Sequence, residues 1–283
     1  MARVETDSRA AARRDPHVPG QGESHHARPG AVLSKVPEVT AWFWTVKILT
    51  TGMGETASDF LARTLGPVPA GCLGLAGLAS LLILQFWSAR YRPWLYWSAI
   101  VMVSVFGTMA ADVVHVIAGI PYTVSAVGFS LALAAVLTLW YAFERTLSIH
   151  SIHTTRRELF YWATVLTTFA LGTAVGDLTA GTLNLGYLPS GFLFAALIAL
   201  PVLCRRFLGL NAVAAFWAAY ILTRPLGASF ADWMGVPATR DGLGWGTGAV
   251  SLALLLPIAA LVGYLQVSRA DTPVAPTPAA QAG

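Results

Sequence analysis

The sequence predicts an all-α polytopic membrane protein: eight transmembrane helices, arranged as four tandem two-helix repeats with both termini cytoplasmic. The first observation is composition, since 55% of the 283 residues are hydrophobic, only 11% are charged, and the mean hydropathy is +0.62. A soluble domain carries about 25% charged residues, because its surface must stay hydrated. The second observation is a series of long apolar segments, and the third is a motif that recurs in alternate segments. A soluble enzyme, a disordered chain and a collagen-like fibre are excluded.

Eight apolar segments follow one another along the chain. Each has the length of about 20 residues that crosses a bilayer as a helix. Glycine, proline and arginine stand mostly at the segment boundaries, as in Gly66-Pro67, although Pro189 and Pro201 both fall inside the sixth segment. The predicted spans are 38–63, 67–88, 93–118, 122–143, 157–181, 187–207, 211–234 and 243–267.

The two ends of the chain are polar. Residues 1–34 lack the apolar run of a signal peptide, and we predict a disordered cytoplasmic tail there and a second one over 268–283. The membrane domain then spans 35–267. Its four repeats are predicted at about 35–88, 90–147, 155–208 and 209–267.

Basic residues predict the orientation, because loops that stay in the cytoplasm are enriched in Lys and Arg. Fourteen basic residues lie in the N-terminal segment, the even-numbered loops and the end of the last span, against only Arg63 and Arg240 on the other side. Both termini are therefore predicted to be cytoplasmic. The net charge of +4 reflects topology and indicates no nucleic-acid partner.

The odd-numbered segments share a motif with fixed offsets. An aromatic residue precedes a tryptophan, a glycine follows that tryptophan by ten positions, and an aspartate follows it by fifteen. Four matches at the same offsets indicate an internal repeat. The tryptophans are Trp44, Trp97, Trp162 and Trp217, the glycines Gly54, Gly107, Gly172 and Gly227, and the aspartates Asp59, Asp112, Asp177 and Asp232.

This pattern resembles a family of bacterial membrane-anchored proteins built from four tandem two-helix repeats, each marked by a tryptophan. The resemblance covers about residues 35–267, and all four copies carry the tryptophan. It implies eight helices in four repeats. The family is defined as a repeat of unknown function, so the resemblance implies no substrate, cofactor or catalytic residue.

The repeated aspartates are the candidate functional residues. Each motif helix is followed by a return helix, so all four motif helices run in one direction, and each aspartate lies about 22 Å beyond its tryptophan along the axis. Charged groups at membrane depth are costly and usually mark a pathway or a site. We predict that the four carboxylates share a polar cavity in the outer leaflet; the alternative is that they reach water separately at the headgroups.

The tryptophans and glycines are predicted to be structural. Tryptophan is typical of the membrane interface, where its ring anchors a helix. Glycine allows two helices to approach closely, although it could also mark a local unwinding that frees backbone carbonyls for an ion.

The position four before each aspartate shares its helix face. It is occupied by Glu55, Thr108, Thr173 and Ala228, of which the first three join the predicted ion-binding set. Two cations, Lys47 and Arg224, also lie within the spans and must be paired or reach the surface. Asp232 and Glu55 are both candidate partners for Arg224.

Metal-ligand patterns are weak in this sequence. His115 follows Asp112 by three positions, which is adequate ligand spacing but also fits a hydrogen-bonded residue near a helix end. His150 and His153 in a loop, and His17, His25 and His26 near the N-terminus, are most simply solvated. Cys72 and Cys204 show no CxxC spacing, so neither a disulfide framework nor a thiolate site is indicated.

Carboxylate oxygens without thiolates suit hard cations such as Mn²⁺ or Mg²⁺, or protons. The first functional hypothesis is therefore a transporter or exporter of a small cation, either a divalent metal or a proton-coupled one. The expected partners are the lipid bilayer and the transported cation or small solute, with a homo-oligomer possible. The sequence indicates neither an enzyme nor a cofactor.

Three other functions remain open. The aromatic residues of the motif helices could form a cage for a small organic amine. These residues are Trp42, Phe43, Trp44, Tyr96, Trp97, Phe160, Tyr161 and Trp162. A haem protein would need paired intramembrane histidines, and only His115 lies within a span. A non-transporting sensor or scaffold is compatible with the long tails but leaves the four aspartates unexplained.

Overall fold

A computed structural model describes residues 34–273, with the side chain of Val116 excepted. Within that range the chain forms eight α-helices and no strand, as predicted. The two predicted tails, and with them His17, His25 and His26, lie outside the described residues or at their edge. The helices are α1 Ala41–Leu65, α2 Pro67–Trp87, α3 Pro93–Asp112, α4 Tyr122–Glu144, α5 Thr155–Asp177, α6 Tyr187–Leu208, α7 Ala212–Gly235 and α8 Thr247–Ser268.

Local sequence explains where the helices begin and end. The Thr40 hydroxyl accepts a hydrogen bond from the Phe43 amide at 3.3 Å, and the Asn211 side chain accepts one from the Val213 amide at 2.8 Å, which caps α1 and α7. Pro67 stands at the first position of α2, where its missing N–H costs nothing. Pro201 lies inside α6, which nevertheless continues to Leu208.

The four motif helices form a closed inner ring. Helix α1 packs against α3, α3 against α5, α5 against α7, and α7 against α1. The even-numbered helices lie outside this ring, each against the motif helix of the next repeat: α2 on α3, α4 on α5, α6 on α7, and α8 on α1. These outer helices bury few side chains and expose large apolar ones, as a lipid-facing layer should.

The motif glycines lie at the contacts of this ring. All four are within regular α-helix, and each faces the residue that stands seven positions after the tryptophan of the neighbouring motif helix. Any Cβ at these positions would collide with that neighbour, so the glycines permit close approach between helices. The Cβ would lie 1.8 Å from Ser104 Oγ for Gly54, 2.8 Å from Phe169 Cβ for Gly107, 2.3 Å from Arg224 Cγ for Gly172, and 2.0 Å from Thr51 Oγ1 for Gly227.

The motif tryptophans do not form an interfacial belt. Trp97, Trp162 and Trp217 are buried, and Trp44 is half-buried. They pack edge-on against the aromatic residue that precedes each of them, with ring centroids 5.1 to 5.2 Å apart. The interfacial role predicted for them is wrong, because the outer helices shield the motif helices from lipid.

The segments before α1 and after α8 meet at one end of the helical bundle. The Glu38 amide donates to the Asp271 carbonyl at 2.9 Å, and Lys35 forms an ion pair with Glu158 at 2.7 Å. The Tyr91 hydroxyl donates a hydrogen bond to the Asp271 carboxylate. Burial raises the pKa of that carboxyl, and the bond from Tyr91 opposes this effect. Chain entry and exit are therefore tied together at the end that carries the basic loops.

Candidate functional site

A cavity of about 430 Å³ opens at the opposite end of the bundle. It lies inside the inner ring, beyond the close contacts of the motif glycines. Two arginines, Arg63 and Arg240, are exposed at its mouth. Its acidic lining consists of Glu55 and all four repeated aspartates, namely Asp59, Asp112, Asp177 and Asp232.

The repeat explains why these carboxylates meet. The aspartates stand at one offset from the tryptophan on four helices that run in the same direction around one ring. After Asp112 and Asp177 the chain continues as a π-helical turn, over Val113–Ile117 and Leu178–Thr182. Such wide turns are frequent at functional sites.

The carboxylates differ in their partners. Asp59 forms an ion pair with Arg63 one helical turn away, at 2.5 Å. Among the described residues, Asp112, Asp177 and Asp232 take part in no ion pair. These last three carboxyl groups are therefore free of internal cations within this part of the chain and available to an occupant of the cavity.

Arg224 is connected to the cavity through Glu55, which lines it. Its side chain is fully buried, and its Nη2 donates to the Glu55 carboxylate, to the Thr108 hydroxyl and, at 2.8 Å, to the Thr173 hydroxyl. Of the two partners that the sequence left open, the structure has Glu55 and not Asp232. Three of the four residues that precede an aspartate by four positions thus gather around one guanidinium group.

Lys47 lies in the same interior and is also buried. Its ammonium nitrogen is 4.0 Å from the centroid of the Phe169 ring and 4.2 Å from that of Tyr220. Within residues 34–273 it has no hydrogen-bond partner. The expectation that Lys47 is paired with an acid or reaches the surface is wrong, because cation–π contacts hold it instead.

His115 is turned to a local network. Its Nδ1 lies 3.2 Å from the Ile120 carbonyl and 3.3 Å from the Ser125 hydroxyl, and its ring contacts that of Tyr122 at a centroid distance of 4.0 Å. It does not line the cavity with Asp112, because the π-helical turn changes the register after that aspartate. The described part of the chain contains no group of three or more His, Cys, Asp or Glu residues placed to hold a metal ion.

The loop histidines lie at the other end of the molecule. His150 Nδ1 is 3.5 Å from Glu38 Oε2, so this histidine makes a contact at the surface of the protein. The aromatic cage expected for an amine is also elsewhere, since Phe43, Tyr96 and the buried tryptophans pack against one another.

Two tyrosines of the site were missed from the sequence. Tyr122 and Tyr187 begin the outer helices α4 and α6 and line the cavity. Each follows the aspartate of its repeat by ten positions, so an alignment extended beyond Asp112 and Asp177 would have found them. For Arg63 and Arg240 the sequence predicted only a position on the outer side of the membrane, and no place in a site.

Comparison with known families identifies the family of this chain. A family model described as "Repeat of Unknown Function (DUF347)" matches residues 42–91, 95–146, 160–208 and 215–271. The chain belongs to this family. Four tandem DUF347 repeats confirm the internal repeat predicted from the tryptophan, glycine and aspartate offsets. No curated protein and no solved structure matches this DUF347 chain.

Proposed function

We propose that this DUF347 protein spans the bacterial cytoplasmic membrane eight times and transports a small cation through the acidic cavity. One observation carries the proposal: the four repeated aspartates all line a single cavity. With both termini in the cytoplasm, as the basic loops favour, the cavity opens to the outside.

Eight spans are supported by the position of the two polar helices. Six helices are long and apolar enough to cross a membrane: α2, α3, α4, α5, α6 and α8. The other two, α1 and α7, have 25 and 24 residues and so have sufficient length. Their charged residues Lys47, Glu55 and Arg224 are buried inside the ring, where lipid does not meet them.

The charges of the cavity favour a cation. Five carboxylates line the cavity with two guanidinium groups, those of Arg63 and Arg240, and a third guanidinium group, that of Arg224, is paired with Glu55. Oxygen ligands of this kind suit Mn²⁺, Mg²⁺ or protons. A volume of about 430 Å³ admits an ion with several waters, since one water takes about 30 Å³. In this conformation the carboxylates surround the ion's water shell rather than the bare metal.

Replacement of Asp112 and Asp177 by Asn together tests the proposal. Uptake of Mn²⁺ into liposomes containing the purified protein should fall at least tenfold, on the order of the loss of one or more charged ligands. Asp241→Asn is the matched control, because Asp241 is exposed in the α7–α8 loop and does not line the cavity. Unchanged uptake in the double variant, with its thermal stability intact, contradicts cation transport.

A second candidate is a small organic amine. The cavity has the size of a small-molecule pocket, about 300 to 1,000 Å³, and the Tyr122 and Tyr187 rings stand in its wall. Ethylamine should then inhibit Mn²⁺ uptake competitively in the wild type and much less in Tyr187→Ala. Absence of competition eliminates the amine, and absence of any flux favours a sensor or scaffold.

A further inference from the structure

Three oxygen atoms from three motif helices converge on one nitrogen atom in the middle of the bundle. Glu55 Oε2 of α1, Thr108 Oγ1 of α3 and Thr173 Oγ1 of α5 all accept hydrogen bonds from Arg224 Nη2, the last at 2.8 Å. Each of the four residues is at most 5% exposed. The Thr51 carbonyl of α1, 3.5 Å from Nη1 of the same group, adds a fourth oxygen.

The repeat produces this convergence. Glu55, Thr108 and Thr173 all stand eleven positions after their tryptophan, so the closed ring brings them to the same level around its axis. The fourth equivalent residue is Ala228, which supplies no oxygen. Arg224, one turn earlier on the same helix, fills the centre in its place.

The oxygens face the centre as acceptors. The Thr108 hydroxyl can give its proton to the Ser104 carbonyl at 3.0 Å, and the Thr173 hydroxyl gives its own to the Phe169 carbonyl at 3.2 Å. Their lone pairs are therefore left for a positive charge at the axis. A carboxylate, two hydroxyls and a carbonyl form the kind of oxygen set that binds a hard cation.

We propose that this oxygen cluster is a second cation site on the transport path, and that Arg224 is a tethered cation which occupies it until the transported ion displaces the guanidinium group. This inference rests on the proposed function. The displaced group has partners on offer, because Asp177 and Asp232 line the same cavity as Glu55 and have no ion pair among the described residues. The incoming ion then pairs with Glu55 and the guanidinium group with the two aspartates, so neither cation is left unpaired.

Removal of the guanidinium group from the oxygen cluster tests the proposal. Purified full-length Arg224→Gln protein, titrated with Mn²⁺ and followed by electron paramagnetic resonance, should show a binding site in addition to that of the wild type. Adding Thr173→Val should abolish the additional site. Adding Thr167→Val should leave it, since Thr167 lies on the same helix but bonds only to the Ala163 carbonyl.

Arg224→Gln leaves Glu55 without its partner and could fail to fold for that reason. A second variant therefore tests the same site without breaking this pair. Thr173→Val alone keeps Arg224 and Glu55 paired. It should retain Mn²⁺ binding that depends on Asp112 but lose at least nine-tenths of Mn²⁺ uptake. Arg224→Gln with no additional site, or Thr173→Val with wild-type uptake, overturns the second site. The proposed function fails separately, if wild-type protein shows no binding that depends on Asp112.

Discussion

The four motif glycines set the distance between neighbouring helices of the inner ring. Gly54 shows the constraint most clearly, since a Cβ there would lie 1.8 Å from Ser104 Oγ and 2.9 Å from the Ser104 backbone carbon. The hydroxyl could rotate away, but the backbone carbon cannot move without shifting α3 as a whole. Contacts of this kind stabilise helix pairs where no hydrophobic effect distinguishes protein from lipid.

Gly54→Ala is therefore expected to destabilise the protein by about 1 to 3 kcal/mol, the usual cost of overpacking. Thermal unfolding in detergent measures it. Ser104→Gly in the same chain should recover part of the loss by removing the atom nearest to the new methyl group. Gly128→Ala is the control, because nothing lies within 4 Å of a Cβ at Gly128, and it should be neutral or slightly stabilising.

Sequence offsets predicted that Glu55, Thr108 and Thr173 share a helix face with the aspartates, and the structure gathers all three around Arg224. The offsets did not decide the partner of Arg224. Asp232 lies on the same helix as Arg224, whereas Glu55 lies 169 positions away in the chain. Only the closure of the ring brings Glu55 within hydrogen-bonding distance of Arg224. Lys47 posed the same problem, because its aromatic neighbours lie on α5 and α7.

Helices α1 and α7 depend on their neighbours in a way that the outer helices do not. Each of the six other helices is apolar enough to enter a bilayer on its own. In α7, Arg224 alone adds about 2.5 to 3.5 kcal/mol to the cost of insertion. Within the folded ring that charge is buried against Glu55.

Arg224→Leu should consequently have opposite effects on the isolated helix and on the whole protein. In a glycosylation-based insertion assay, segment 212–235 should insert better with leucine than with arginine. In the full chain the same change should lower stability by about 3 to 5 kcal/mol, because it leaves the Glu55 carboxylate buried and unpaired. Thr223→Leu, which adds no charge effect, serves as the reference. A full chain stabilised by Arg224→Leu contradicts the pairing.

All eight predicted spans correspond to helices, with ends within a few residues, because apolar length and Gly or Pro boundaries are local properties of the sequence. The π-helical turns after Asp112 and Asp177 were not foreseen. Their widening is set by tertiary packing at the cavity, which hydropathy does not encode. Of the two roles left open for His115, the structure has the hydrogen-bonded residue near a helix end.

The molecule as a whole is a closed ring of repeats. Tandem repeats can equally form an open row, and the offsets of the motif are the same in both cases. Here α8 packs on α1, and the Glu38 amide meets the Asp271 carbonyl. The first and last repeats are therefore neighbours in space. The order of the repeats along the chain thus depends only on which loops connect them.

A circular permutant should fold for that reason. Residues 273 and 34 are joined by a flexible linker, and the chain is opened between Gly209 and Leu210, in the exposed turn before α7. Each repeat has two helices and keeps its direction. Thermal stability and Mn²⁺ uptake should stay close to those of the parent. Opening the chain inside α5 is the control and should abolish both; a permutant that fails like this control contradicts interchangeable order.

The centre of the ring is the place where the repeats differ most. Seven positions after the tryptophan they carry Thr51, Ser104, Phe169 and Arg224. Four separate, identical two-helix subunits could not build this centre, because symmetry would put four guanidinium groups on one axis, or none. Covalent fusion frees each copy to diverge, so that one gives the cation, one the carboxylate and two the hydroxyls. A division of labour among duplicated units is thus what a single chain makes possible here.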